Sequence, residues 1–164
     1  MEANDKIQLR GTVNFALKDS NGKVIEELNI ENLITTTGKQ LMTFLLGALD
    51  SSVKPDFMAV GTGAGAPAAG DNQLGTEVFR EAINSFTAVT TTTTDDTIQY
   101  VMEIGPGELT SGALTEAGLF GSSATEGTAG AGANTGHLLS RVTFPAINKT
   151  ASLTLTITWK IQQL

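Results

Sequence analysis

Near the C-terminus Leu153, Leu155, Ile157, Trp159 and Ile161 alternate with Thr154, Thr156, Thr158 and Lys160. Successive side chains of a strand point to opposite faces, so this period of two puts the apolar groups on one side and the threonines on the other. A helix would scatter them around its circumference. Ser152 to Gln162 is therefore a strand with one buried face, and it needs other strands to bury it. The preceding strand carries Leu138, Val142 and Phe144.

The N-terminal segment repeats the pattern. Ile7, Leu9, Gly11, Val13, Phe15 and Leu17 alternate with Lys6, Gln8, Arg10, Thr12 and Asn14. Asp19-Ser20-Asn21-Gly22 follows, and Asn-Gly accepts the positive φ of a tight hairpin. A hairpin over about 6–33 is expected, with Leu28 and Ile30 buried on the returning strand. Asp19 and Asn21 also resemble the start of a calcium loop, but the later ligands and the closing Glu are absent in register.

The period then changes. Thr37-Gly38-Lys39-Gln40 has the form of a capping box, and Leu41, Phe44, Leu45 and Ala48 recur at helical spacing. One short α-helix is expected at about residues 38–48, ended by Gly47 and Asp50-Ser51-Ser52. Phe57 to Val60 reads as a short strand, residues 74–80 as a turn and an extended or single-turn segment, and 82–94 as a strand rich in β-branched residues. Thr93-Thr94-Asp95-Asp96 makes a turn, and Ile98, Tyr100, Met102 and Ile104 alternate up to the stop at Gly105-Pro106-Gly107. Gly121 to Gly136 has no large apolar side chain, so burial cannot offset its ordering entropy, and a mobile glycine-rich surface loop is expected. About seven short strands and one helix imply a mainly β fold, an antiparallel β-sandwich, in one domain over 1–164.

Composition bounds the chemistry. The 164 residues carry a formal charge of −7, no Cys and one His. An acidic chain is a poor partner for phosphate backbones. Absence of Cys excludes a zinc ribbon, an iron–sulfur site and a thiol nucleophile. The N-terminus lacks the basic and apolar regions of a signal peptide. The longest apolar stretch, Leu41 to Leu49, is about half of what a membrane span needs, so a soluble protein is expected.

Few residues suggest a site. Gly63-x-Gly65-x-x-Ala68 fits a loose dinucleotide fingerprint, yet Pro67 and Gly70-Asp71-Asn72 stand where a helix should open. Gly65 to Gly70 has phosphate-loop spacing, with Asp71 in place of the lysine. His137 is the sole imidazole and reads as a polar residue at a strand start. Glu26 and Glu27 are neighbours on a strand and point apart. Asp95-Asp96 reads as turn chemistry, and Thr90 to Thr94 as strand. Glu77 and Arg80 would pair across one helical turn and fix a subunit contact, and Glu116 precedes an apolar segment. No catalytic, cofactor-binding or metal residue is assigned.

Several longer stretches carry a resemblance: Asn32-Leu33-Ile34-Thr35-Thr36-Thr37-Gly38, Ala59-Val60-Gly61-Thr62-Gly63 with Pro67-Ala68, and Leu74-Gly75-Thr76-Glu77-Val78-Phe79-Arg80. Glu116-Ala117-Gly118-Leu119-Phe120 follows, then Arg141-Val142-Thr143-Phe144-Pro145-Ala146-Ile147-Asn148-Lys149-Thr150 before the final strand. In this order, over about residues 30–162, the chain resembles small structural proteins of tailed bacteriophages, of the decoration, head-fibre or tail-fibre type. The resemblance implies a non-enzymatic β-sandwich virion component.

The expected function is a homo-oligomeric capsid decoration (cement) protein, for instance a trimer, on the exterior of a capsid or tail and made in the host bacterial cytoplasm. Its expected partners are itself and another virion protein, the major capsid or tail protein, with no nucleic acid, membrane or cofactor. The hairpin and the loops at 61–73 and 121–136 are the expected contact elements. A tail-fibre or tail-tip module that binds a receptor or carbohydrate is the alternative.

Overall fold

The alternating segments form antiparallel strands in the computed structural model, which describes residues 8–47, 54–121, 124, 127–128 and 133–164. In chain order they are β1 (Leu9–Lys18), β2 (Val24–Ile34), helix α1 (Thr36–Leu46), β3 (Pro55–Gly61), β4 (Glu77–Ala82) and β5 (Ser85–Val89). Then come β6 (Thr97–Ile104), β7 (Ser111–Gly121), β8 (Gly127–Thr128), β9 (His137–Thr150) and β10 (Thr154–Gln163). The protein is mainly β with one helix. Its strands make one antiparallel sheet, ordered β5-β6-β10-β1-β2-β9-β7-β3-β4-β8 and curled into a half-barrel.

The most strongly alternating strand lies well inside this order. β10 pairs with β1 on one side and β6 on the other, and Leu155, Ile157 and Trp159 are fully buried. The core they enter also takes Phe15 of β1, Val60 of β3 and Phe144 of β9. Phe15 and Phe144 come from opposite halves of the sheet, with ring centroids 4.3 Å apart. The curl thus lets one sheet bury its apolar face against itself.

The two halves join at a narrow place. β2 pairs with β9 through only Leu33↔Arg141 and Ile34↔Ser140. A polar network fastens this joint. With its side-chain oxygen toward the indole, Asn32 accepts from Trp159 Nε1 at 2.8 Å and the Thr12 amide at 3.1 Å, and it donates to Ser140 Oγ at 2.6 Å. A Cβ at position 11 would lie 1.8 Å from the Asn32 side-chain amide, so glycine there leaves room for this network.

The hairpin follows the sequence expectation. Asp19 Oδ1 accepts from the amides of Asn21 and Lys23, and Gly22 has φ +78°. Helix α1 begins two residues before its expected start. Its N-cap is Thr35, not Thr37, and Thr35 Oγ1 accepts from the Gly38 amide at 2.9 Å. The same hydroxyl donates to the Leu138 carbonyl at 2.6 Å, and the Thr35 amide donates to the Leu139 carbonyl, so the cap also docks the helix on β9. Leu41 is buried, whereas Phe44 and Leu45 are exposed; Ala48 lies outside the described residues.

The strand expected over 82–94 is shorter. β4 stops at Ala82, β5 ends at Val89, and the threonine run leaves the sheet. Asp96 Oδ1 accepts from the Thr91 amide, and Oδ2 accepts from the amides of Thr92 and Thr93, which curls the run into a turn. Local side-chain acceptors outcompete β-propensity there.

Asn32→Ala removes the acceptor of a buried indole. A loss of about 1–3 kcal/mol in unfolding free energy is expected, and urea denaturation followed by Trp159 fluorescence measures it.

Candidate functional site

The face of β3, β7 and β9 turned away from the core carries the most concentrated polar chemistry among the described residues. Val60, Ala117 and Val142 lie in one cross-strand row and enter the core. Alternation therefore sends Glu116 and Arg141, the neighbours of that row, to the opposite face. There Arg141 Nη2 donates to Glu116 Oε2 at 2.7 Å and Nε donates at 3.2 Å. Glu116 is fully buried and Arg141 nearly so.

The glycine-rich segment 62–76 covers this pair. The amides of Gly63, Gly75 and Thr76 donate to Glu116 at 2.9, 2.9 and 2.7 Å. Arg141 Nη1 donates to Asp71 Oδ2 at 2.7 Å, and the Ala68 amide donates to the same oxygen at 2.9 Å. The loop that mimics a phosphate cradle does hold an anion: the chain's own carboxylates occupy the donors. Glycine is required at 63, where a Cβ would stand 2.3 Å from Glu116 Oε1.

Burial alone would push the Glu116 carboxyl up. The amides of Thr76 and Gly75, Arg141 and the Gly63 amide outweigh it and hold the group below the ordinary range. Asp71 is likewise driven up by burial, and held low by the Ala68 amide and Arg141. Burial pulls Arg141 down, but Asp71 and Glu116 raise it on balance, so the guanidinium stays charged.

A second clamp lies on the same face. Glu77 and Arg80 pair as expected, with Nε to Oε1 at 2.6 Å and Nη2 to Oε2 at 2.8 Å. No helical turn is involved. Residues three apart on a regular strand face opposite ways, but Val60 pairs with Phe79 and Gly61 with Glu77, leaving Val78 as a bulge that restores the common face. The pair is buried within the chain. Arg80 also lies 4.3 Å over the Phe120 ring.

The same clamp holds residues just ahead of β9. Arg80 Nη1 donates to the Thr135 carbonyl at 2.8 Å, and the Asn134 amide donates to Glu77 Oε2 at 3.1 Å. β8 pairs with β4 through Phe79↔Thr128 and Arg80↔Gly127. The expected mobile loop over 121–136 is thus anchored at its described residues. Residues 122–123, 125–126 and 129–132 lie outside the description.

The remaining candidates stand apart. His137 is exposed at the start of β9, opposite Gly121. Glu26 and Glu27 are exposed on β2, and Glu27 accepts from Asn14 Nδ2 at 2.8 Å. Asp96 is held well below the carboxylate range by Thr92 Oγ1 and the amides of Thr93, Thr92 and Thr91. Trp159 is buried, and burial with Asp56 nearby pushes the Tyr100 hydroxyl up to about 12.

Lys149 has a role that its sequence context did not announce. It is buried, and its Nζ donates to the carbonyls of Gly105, Glu108 and Thr150 at 2.9, 3.0 and 3.1 Å, pinning the turn after β6. Burial lowers its pKa, and Glu108 opposes that. The signal was its place two residues after buried Ile147 on one strand face.

An apolar recess of about 170 Å³ lies between α1 and the sheet, lined by Leu9, Ile34, Met42, Leu45, Tyr100 and Ile161 among others. Among the described residues no group of three or more His, Asp or Glu could hold a metal ion, and no helix is long and apolar enough to cross a membrane. No protein-family model matches the chain, and no curated protein matches it.

Glu116→Ala leaves Nε and Nη2 of Arg141 and three amides without their acceptor. A loss of about 3–5 kcal/mol is expected, together with faster hydrogen exchange at the amides of Gly63, Gly75 and Thr76. The pH dependence has a definite sign. Because Glu116 and Asp71 are held below their ordinary values of 4.5 and 3.8, their contribution is complete above about pH 4.5 and is lost as pH falls through the folded values. Thermal midpoints taken from pH 7 to 2 should fall below pH 4.5, and less steeply in Glu116→Ala; Asp96 leaves the variant some acid dependence of the same sign.

Proposed function

We propose that the chain is a non-enzymatic structural protein of a tailed-phage virion, a homo-oligomeric capsid decoration protein whose curled sheet works as a β-sandwich. The observation that carries this reading is that buried ion pairs lock the glycine-rich segment 62–76 and the residues Asn134 and Thr135 ahead of β9. Substrate-gating loops are drawn from the least stable parts of a fold. A cement protein needs the reverse: a fixed shape that contributes buried area at the junctions between capsid subunits and resists pressure from within.

Three further features support it. Phe15 packs against Phe144 across the two halves of the sheet, a contact that suits the facing layers of a sandwich. Exposed apolar side chains, among them Val24 and Ile25 beside the hairpin turn and Phe44 on α1, offer contact area. The order of the structural motifs resembles phage virion proteins over most of the chain.

The test is to locate the protein on particles from the genome that encodes it. Cryo-electron microscopy should show it on the outside of the capsid. Particles lacking it should release DNA at lower temperature, and adding the purified protein should restore them. Absence from purified particles by mass spectrometry would overturn the reading, and binding of the purified protein to host cells would favour a tail-tip module.

A further inference from the structure

A strand edge presents free N–H and C=O groups to any other strand, and soluble proteins guard such edges with charge, proline or brevity. This sheet guards most of its edges. β8 ends it with two residues. β2 is paired to β9 only through Leu33 and Ile34, and the rest of its outer edge carries Glu26, Glu27 and Glu31. β9 carries Pro145 beyond that joint.

β5 ends the sheet on the other side, paired only with β6, and has none of these devices. No residue from Ile83 to Thr94 is charged or proline, and neither is any of Thr97 to Val101, the stretch of β6 beside it. Ser85, Phe86, Thr87 and Ala88 are exposed. Phe86 is 66% exposed, supported by Tyr100 at a centroid distance of 6.4 Å.

We propose that β5 is a self-association edge: two copies of this chain pair β5 with β5, antiparallel about a two-fold axis, and the sheet continues from one into the other. This rests on the homo-oligomeric part of the function proposed above and names its surface. Charge selects the occupant. With a net charge of −7 per chain, two copies repel unless they meet where charge is absent, and each offers the other the same neutral strip. A basic partner would be drawn to the acidic surface instead. Antiparallel pairing of one edge with itself is self-complementary and closes at two copies, so it does not propagate into a filament.

The native mass of the full chain should be twice 17.1 kDa. The double variant Phe86→Lys with Ala88→Lys should return it to the single mass, with the circular dichroism spectrum of the folded chain unchanged. Because the chain has no cysteine, single variants Phe86→Cys, Thr87→Cys and Ala88→Cys report the contact directly. Residues facing each other across an antiparallel pair have Cβ atoms about 4.5–5.5 Å apart, close enough for at least one of the three to form a disulfide-linked dimer under mild oxidation. Val24→Cys, on an exposed part of β2, should not.

A monomer, a trimer, or a dimer that survives the lysine variant and forms none of the three cross-links overturns the inference. A β5-linked dimer that never joins particles would overturn the virion reading and leave this one standing. A monomer that coats particles would do the reverse.

Discussion

The buried pair of Glu116 and Arg141 is the interaction on which the outer layer of the molecule depends. Neither charge could be buried alone, because desolvation costs several kcal/mol per ion. Their own attraction is only part of the answer: Glu116 takes three backbone amides, and Arg141 takes Asp71 as a second carboxylate. Those extra partners come from the segment between β3 and β4. The loop therefore satisfies the charges, and the charges hold the loop; neither is stable in this form without the other. Glu77 and Arg80 repeat the device one strand over for the residues that precede β9. The segment 62–76, and Asn134 and Thr135 ahead of β9, are thereby held against the sheet although their composition argues for freedom.

Two contacts depend on where side-chain alternation is broken. A one-residue bulge at Val78 puts Glu77 on the face of Arg80. On β9, Leu119 pairs with Ser140 and Phe120 with Leu138, so Leu139 is the extra residue. It packs against Leu41 of α1, and its carbonyl accepts from the Thr35 amide. Irregularities in the ladder thus aim particular groups: one builds an ion pair and the other seats the only helix among the described residues.

The same irregularities mark where the fold was legible in the sequence and where it was not. β1, the hairpin turn, β6 and β10 were legible because a period of two is a local signal and Asn21-Gly22 is a local turn. The pairing of Glu77 with Arg80 was legible as a spacing, but its mechanism was not, since a bulge is fixed by the partner strand. Thr37-Gly38-Lys39-Gln40 looked like a cap, yet the cap fell to Thr35 because β9 supplies acceptors that no local pattern contains. The anion in the glycine loop was hidden for the same reason: Glu116 lies far along the chain from Gly63 and Gly75. Asp96 shows the converse, a local acceptor bending a threonine run that propensity alone assigns to a strand.

The acid balance of the chain takes on a structural meaning in this light. Of its carboxylates, Glu77 and Glu116 are buried against arginine, and Asp71 shares Arg141. Others stand along the free edge of β2, where like charges discourage a second strand. The edge at β5, by contrast, carries no charge. A chain that neutralises carboxylates inside and displays them along one edge still keeps a net repulsion between copies over most of its surface. Specific association then needs no strong attraction at the contact, only that one strip lacks the repulsion found elsewhere and offers a ladder of unpaired backbone groups. In the dimer proposed above, backbone pairing supplies the register, and the surrounding charge disfavours other orientations.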